Sequence, residues 1–378
     1  MFLIERIFGI SSYMLVLLLV CFLLSKTNMP CKSALRFYLF CLSVMAFFYK
    51  PYITADLYRI FEQMDYFSSM DFDQFWNDFV LDSSTPLSRL LYWFFGKTGC
   101  NKLLPVFSAC FCYSLMFYVI EKTKQLYDIS KKTVAIVLFF IMTTSMYISV
   151  IGGIRMMIAL SMLTFSCFRM TVEKRVKVFD IFFFIAPIFI HAMSFVVIVI
   201  IVLTLIFDYG RNTFKKIKYM FVVALCGCAF VVKFSGTVQR LFDKFLEYVL
   251  GDKHSDPWEY LMGIFIIIIL FLVFTEYRSI RRSGCCLEVN RYNIAAVFCV
   301  ILAVCFCFEF SIFYRFAGHL AVMFSIPSMM ISLDKTEGRS SILFRGINLK
   351  TLVILLSCIV AALSCTRGSL CSLKFFEL

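Results

Sequence analysis

The chain has 378 residues, of which 61% are hydrophobic and 16% charged, and its formal net charge is +13. A soluble domain is close to half apolar and a quarter charged, so this composition excludes an ordinary soluble protein and predicts an integral membrane protein. Nucleic-acid binding is not expected despite the positive charge, because no basic patch is interleaved with aromatic residues in a soluble segment.

Apolar windows of about 17–20 residues, the length that crosses a bilayer core, recur along the chain. They lie near 8–24, 33–49, 103–120, 133–150, 154–168, 178–190, 192–207, 219–234, 260–275, 293–309, 316–333 and 351–366. The first has neither the basic flank nor the cleavage site of a signal peptide, so we expect it to be retained. The pattern predicts an all-α, polytopic membrane protein with about 12 transmembrane helices in a single domain, 1–378.

Lysine and arginine concentrate in alternate loops, which predicts the orientation of the chain. The loops 25–36, 121–132, 169–177, 208–218, 276–292 and 334–350 hold 23 of the 37 Lys and Arg residues. Short loops rich in Lys and Arg stay cytoplasmic, so these six are predicted inside and both termini outside. An even number of crossings must then separate the third loop from the fourth. A hairpin of two short helices over 178–207 is therefore favoured over one long tilted helix, with its tip near His191.

Two of the segments predicted outside are large. The segment at about 50–102 mixes acidic and aromatic residues, and the one at about 235–259 is amphipathic. Pro86 to Phe95 is apolar but too short to cross, and Trp93 within it suits an interfacial position. Loops of this size on a protein with many spans usually shape a substrate site or a lid.

Ionisable residues converge on the outer side of this predicted topology. They are Asp56, Arg59, Arg155, His191, Glu309, Arg315 and His319, the last four residues after Arg315 and hence on the same helical face. Each could also have a purely structural role, as an interfacial arginine, a packed histidine, a solvated loop charge or a member of a Glu309–Arg315 pair. Because charges inside a membrane are costly and often functional, their convergence predicts a water-filled cavity that opens outward.

Arginine at this depth suits a phosphorylated lipid. Its planar guanidinium matches phosphate oxygens and stays charged at every relevant pH. Histidine can act as a general base or as a hydrogen-bond partner. We therefore predict a lipid-pyrophosphate site in which His191 orients or deprotonates an attacking sugar hydroxyl, with Asp56 or another loop carboxylate as the alternative base. The cysteine and histidine spacing predicts no metal site, and no cofactor is expected.

Five motifs occur in order between about residues 50 and 330: Asp56-Leu57-Tyr58-Arg59, Ser84-Thr85-Pro86-Leu87, Gly153-Ile154-Arg155-Met156-Met157-Ile158-Ala159, Ile190-His191-Ala192-Met193-Ser194 and Phe313-Tyr314-Arg315-Phe316. Together they resemble the EpsG/Wzy-like family of bacterial exopolysaccharide and O-antigen polymerases. Met156 stands where the family usually has glutamine, and Ser194 lies one residue later than the family serine. Arg155 and His191 match the family pattern.

The resemblance implies a multi-pass enzyme of the bacterial cytoplasmic membrane. It would polymerise undecaprenyl-pyrophosphate-linked repeat units into capsule, exopolysaccharide or O-antigen, in contact with membrane lipid and alongside a flippase and a chain-length regulator. The catalytic residues would be His191, Arg155 and Arg315; the substrate-binding residues would be Asp56, Arg59, Glu309 and His319.

Two other functions stay open at this point. An O-antigen ligase or another lipid-linked glycosyltransferase would share the arginines and the outer loops. A polysaccharide or lipid transporter, or a flippase, would instead show inverted repeats and charges near the membrane midplane. No internal repeat stands out in the sequence, and its ionisable residues cluster on one predicted side of the membrane.

Overall fold

The computed structural model describes residues 2–53, 55–81, 83–144, 146–208, 257–282, 288–307, 310–336, 348–366 and 373. Over these ranges the chain folds into helices joined by short connections, without a β-strand. The prediction of an all-α protein is confirmed.

The helices are numbered in chain order. The first third forms α1 (Phe2–Lys26), α2 (Cys31–Phe48), α3 (Asp56–Ser68), α4 (Phe72–Phe75), α5 (Pro86–Lys97) and α6 (Leu103–Tyr127). The middle forms α7 (Lys131–Thr143), α8 (Met146–Gly152), α9 (Ile154–Thr171), α10 (Val178–Ile185) and α11 (Met193–Asp208). The last part forms α12 (Pro257–Arg282), α13 (Val289–Cys305), α14 (Phe310–Tyr314), α15 (Val322–Lys335) and α16 (Leu349–Thr366). A π-helical turn (Trp76–Val80) follows α4, a 3-10 turn (Ala186–Phe189) follows α10, and a π-helical segment (Arg315–Ala321) joins α14 to α15.

Seven helical stretches in the described chain are long and apolar enough to cross a membrane: Glu5–Lys26, Cys31–Phe48, Leu103–Tyr127, Ile154–Thr171, Tyr260–Arg281, Ile312–Lys335 and Leu349–Thr366. Helices α7 and α8, which lie at 57° to each other, form an eighth if they are one broken span, and three further apolar helices are shorter. Every predicted span within the described residues coincides with one of these stretches. The predicted span 219–234 and nearly all of the predicted loop 235–259 lie outside the described residues. The protein is a multi-pass membrane protein, and the number of twelve crossings stays a prediction.

Helix α9 and the stretch Ile312–Lys335 form the centre of the bundle. Every residue of the most apolar window in Ile312–Lys335 is buried, as is 83% of that in α9, against 28% for α1. A helix that is buried on all sides packs among other helices rather than against lipid. Functional side chains on these two elements are therefore held by protein on most sides.

The segment 178–207 forms two helices that meet near His191. Asp180, in the first turn of α10, pairs with Arg169 near the end of α9 at 2.6 Å. His191, beyond the end of α10, lies instead beside Arg155 at the start of α9. Helix α10 therefore runs antiparallel to α9, and α11 begins at the opposite end and also packs on α9. The two short helices and the tip between them agree with the predicted hairpin.

Loops predicted on the inner side meet one another at one end of the bundle, which we call the basic end. The ammonium of Lys131 donates to the carbonyl of Met29 at 2.9 Å. The main-chain N–H of Ser130 donates to the carboxylate of Asp334, also at 2.9 Å. These two bonds join the loops 25–36, 121–132 and 334–350. Arg155 and His191 lie together at the other end of the bundle.

The buried Arg169–Asp180 pair predicts a stability difference. Asp180 is fully buried, so Asp180→Asn leaves the largely buried Arg169 without its counter-charge, and breaking such a pair costs about 3–5 kcal/mol. Lys174→Ala breaks the exposed Lys174–Glu288 pair, which contributes about 1 kcal/mol or less. Free energies of unfolding, measured in mixed micelles, should differ accordingly. Equal losses for the two variants would contradict the structural role of Asp180.

Candidate functional site

Four of the predicted site residues line one small cleft of about 60 Å³, which we call the arginine cleft. Its lining consists of Asp56, Ile60, Gly152, Gly153, Ile154, Arg155, Met156, His191 and Arg315. The walls come from the start of α3, the α8–α9 junction, the turn before α11 and the π-helical segment before α15. Asp56, Arg155, His191 and Arg315 are thus brought together from four distant parts of the chain.

Arg155 enters the cleft with a helix N-terminus. Helix α9 starts at Ile154 after the N-cap Gly153, whose backbone is bent away from helical values (φ −91°, ψ 44°) and which provides no side-chain cap. The first helical bond runs from the N–H of Met157 to the carbonyl of Gly153, so the three preceding N–H groups lack helical acceptors. Such a terminus carries partial positive charge and binds anions. Arg155 adds a full charge at the same point.

The space in front of this terminus is kept open by Gly152. A β-carbon placed on Gly152 would meet no atom within 4 Å, so the residue faces empty space at the cleft. Arg155 itself makes no hydrogen bond or ion pair with another described residue. The cleft therefore presents an arginine and main-chain N–H groups to open space, which suits an anionic ligand.

The carboxylate in the cleft does not neutralise Arg155. Asp56 is the first residue of α3, its side chain is 73% exposed, and its ion pair at 3.8 Å is with Arg59. Both partners are largely solvated, so this pair contributes little stability. Arg59 lies one turn along α3 and is not part of the cleft lining. Its predicted contact with substrate stays a prediction.

The hydrogen bond of His191 assigns its tautomer. The main-chain N–H of Met193 donates to Nδ1 of His191 at 3.1 Å. Since Nδ1 is the acceptor, the neutral imidazole carries its proton on Nε2. The lone pair that a general base would use is already engaged. This arrangement favours His191 as a hydrogen-bond donor over the base role that the sequence left open.

Arg315 is held by the residue that precedes it. The ring of Tyr314 packs over Gly318, where a β-carbon would lie about 2.7 Å from the ring and could not be accommodated. The Tyr314 hydroxyl donates to the carbonyl of Thr144 at the end of α7. These contacts fix the start of the π-helical segment and with it the position of the Arg315 backbone at the cleft. π-helical insertions frequently occur at functional sites.

His319 does not line the arginine cleft. His319 is only 2% exposed, lies edge-on to the Tyr314 ring at 5.2 Å between centroids, and is absent from the cleft lining. The sequence placed it on the same face as Arg315 by α-helical spacing. The segment is π-helical, in which a four-residue step still nearly completes a turn, so the spacing does not explain the difference. Packing against the Tyr314 ring instead buries His319 away from the cleft. Glu309 lies outside the described residues.

Two residues of α5 that were not predicted from the sequence belong to the same electrostatic environment. Burial lowers the pKa of the Arg89 guanidinium, and the positive charge of Arg155 lowers it further. Burial raises the pKa of the Tyr92 phenol to about 12, while Arg155 and Arg89 act in the opposite direction. The Tyr92 hydroxyl has no hydrogen-bond partner among the described residues. Arg89 and Tyr92 are three residues apart, which places them on one face of the short apolar helix α5. This spacing is the feature of the sequence from which their role could have been predicted.

The charge of Arg89 is not matched by a carboxylate in these contacts. Its guanidinium donates to the amide oxygen of Gln63 at 2.9 Å and lies over the Phe67 ring at 5.7 Å. Two arginines that repel each other in a partly buried setting lower the energy of any anion bound between them. Arg89 therefore strengthens the case for an anion site at Arg155.

Comparison with known proteins adds a family. A model of the EpsG family matches residues 56–369, which is most of the chain and includes every residue of the arginine cleft. The chain belongs to the EpsG family. No curated protein and no solved structure shows significant similarity to it. Membership of the EpsG family links the chain to membrane-bound polysaccharide biosynthesis and to glycosyltransferase-like polymerases.

The cleft of this EpsG-family protein predicts anion binding that can be measured without turnover. Inorganic pyrophosphate should raise the melting temperature of the purified protein, because a ligand that binds only the folded state stabilises it. Arg155→Ala combined with Arg315→Ala should abolish the shift. Lys102→Ala removes one exposed cation from the start of α6 and should leave the shift unchanged. A full shift in the double variant would rule out the arginine cleft as the binding site.

Proposed function

We propose that this protein polymerises undecaprenyl-pyrophosphate-linked oligosaccharide repeat units into a surface polysaccharide at the outer face of the bacterial cytoplasmic membrane. The observation that carries the proposal is the convergence of Arg155, Arg315 and His191 with the uncapped start of α9 on one cleft. These hydrogen-bond donors suit a ligand with two linked phosphates. Membership of the EpsG family supports the assignment of the enzyme as a polymerase.

The residues divide the reaction between them. A hydroxyl of the acceptor sugar attacks the anomeric carbon of the donor glycan, and the bond from that carbon to the pyrophosphate oxygen breaks. Arg155, Arg315 and the N–H groups of α9 take up the negative charge that develops on the leaving pyrophosphate. His191 donates from Nε2 to a phosphate oxygen. The carboxylate of Asp56 accepts the hydroxyl proton, since Asp56 is the acidic residue among the described residues that line the cleft.

The remaining predicted groups act around this centre. Arg89 raises the positive potential at the leaving group, and the unpartnered Tyr92 hydroxyl supplies one further donor. Arg59, exposed on the next turn of α3, lines the path by which glycan reaches Asp56. The flippase and the chain-length regulator are partners that the same proposal implies.

Removal of the central charge should abolish most of the activity. In proteoliposomes supplied with a lipid-pyrophosphate-linked repeat unit, Arg155→Ala should slow polymer formation about 10²–10³-fold, the usual effect of deleting one transition-state donor. Lys102→Ala is the control for loss of a cation at the same end of the bundle. The measurement is the ladder of chain lengths resolved on a gel.

The products also separate a polymerase from a ligase. Cells carrying Arg155→Ala should accumulate lipid-linked single repeat units, because the step that joins them is blocked. Accumulation of long polymer still attached to the lipid would instead indicate an O-antigen ligase and contradict the proposal. Unchanged polymer with a full chain-length distribution would exclude the arginine cleft from catalysis.

The role of His191 can be tested with two amides. His191→Gln places an amide N–H near the position of Nε2, whereas His191→Asn keeps an acceptor near the position of Nδ1. If Nε2 donates to phosphate, the Gln variant should retain about tenfold more activity than the Asn variant, since one charge-assisted bond contributes about 1.5–3 kcal/mol. The assay is the same ladder. Equal, near-complete loss in both variants, with unchanged melting temperatures, would indicate that His191 is the base.

A further inference from the structure

A second charged groove lies at the basic end, away from the arginine cleft. It has a volume of about 310 Å³ and runs between the start of α2 and the last turns of α6. Three cations line it, namely Lys32 and Arg36 on α2 and Lys122 on α6. Neither the sequence motifs nor the proposed reaction uses these residues.

The cations of this α2–α6 groove are largely uncompensated. Lys32 and Arg36 are four residues apart and hence on one face of α2, both exposed and without a hydrogen bond or ion pair to a described residue. Lys122 donates to the neutral amide oxygen of Gln125 at 3.1 Å. Glu121 supplies one carboxylate to the lining, and it accepts a bond from the Gln125 amide at 3.1 Å. The groove therefore carries an excess of positive charge.

The floor of the groove is apolar. Leu35 and Phe117 are 3% and 5% exposed and form its base between the two helices. The row of four-residue steps that contains Arg36 continues along α2 with Phe40, which is 66% exposed. Helix α2 is a candidate membrane span over Cys31–Phe48, so this apolar continuation faces the hydrocarbon region. Cations at the helix start followed by exposed apolar side chains match a phosphate headgroup followed by an acyl chain.

We propose that the α2–α6 groove binds one anionic phospholipid of the surrounding membrane. The phosphate lies among Lys32, Arg36 and Lys122, and an acyl chain follows Leu39 and Phe40 along α2. Basic pockets between transmembrane helices bind anionic headgroups in this way. A phospholipid is favoured over a soluble phosphate because the cations are continuous with an apolar surface. The bound lipid would fill the groove between α2 and α6 and stabilise their contact.

Native mass spectrometry of the purified protein tests this proposal. Titration with phosphatidylglycerol should give one retained lipid per chain, whereas phosphatidylcholine should not be retained. Each cation near an anionic lipid contributes about fivefold in affinity, so Lys32→Ala combined with Arg36→Ala should weaken retention by roughly 25-fold. The matched control is Lys132→Ala combined with Lys335→Ala, which removes two exposed cations from the same end.

The outcomes distinguish a specific lipid site from general attraction to positive charge. Loss of the lipid adduct in the Lys32/Arg36 variant alone, with retention in the control, supports the proposal. An equal loss in the control would mean that the adduct depends on general charge and would overturn it. Equal retention of phosphatidylcholine, or full displacement by soluble glycerol phosphate, would overturn it as well. Because lipid retention is measured without turnover, none of these results depends on the reaction at the arginine cleft.

Discussion

Arg155 lies at the first turn of a helix that is buried along most of its length. An arginine inside a helical bundle normally pairs with a carboxylate or donates hydrogen bonds to backbone carbonyl groups. Here it is reinforced: the uncapped N–H groups of α9 add partial positive charge, and Arg315 and Arg89 add two more cations nearby. The cations repel one another, and water in the cleft weakens that repulsion. A bound anion would neutralise part of the positive charge.

Packing and hydrogen bonds elsewhere in the described structure hold the residues of the arginine cleft in position. Helix α9 and the stretch Ile312–Lys335 are the most buried spans among the described helices, so the two cleft arginines stand on the most closely packed part of the bundle. The break at Gly153 ends α8 and exposes the start of α9, and the Tyr314 bond to Thr144 fixes the π-helical segment. Helix α10 runs antiparallel to α9, and His191 beyond its end reaches the same point from a third direction.

Charge also distinguishes the two ends of the molecule. At one end lie loops rich in Lys and Arg, which are joined by hydrogen bonds of Lys131 and Asp334. The α2–α6 groove lies at the same end. The other end brings arginines together where helices converge on a cleft. We interpret the first as an anchor that orients the protein and holds lipid, and the second as the place where a phosphorylated substrate is processed.

Much of this could be predicted from sequence because the relevant signals are local. Span positions follow from apolar length, and Arg155, His191, Asp56 and Arg315 are each conspicuous in an apolar setting or a motif. The sequence does not single out Arg89, because the short apolar segment Pro86 to Phe95 predicts only an interfacial helix. The spacing puts His319 on the Arg315 face, but burial against the Tyr314 ring keeps it out of the cleft lining. Tertiary packing of this kind leaves no local signal in the sequence.

A structure of the protein bound to a non-cleavable lipid diphosphonate carrying one repeat unit would show directly whether the arginine cleft holds the leaving group. We expect diphosphonate oxygens within about 3 Å of the guanidinium groups of Arg155 and Arg315 and of the first N–H groups of α9. The Nε2 atom of His191 should donate to the same group, and Asp56 should face the anomeric carbon. Density for the diphosphonate elsewhere, with the arginine cleft empty or filled by sugar alone, would contradict the proposed role of the cleft.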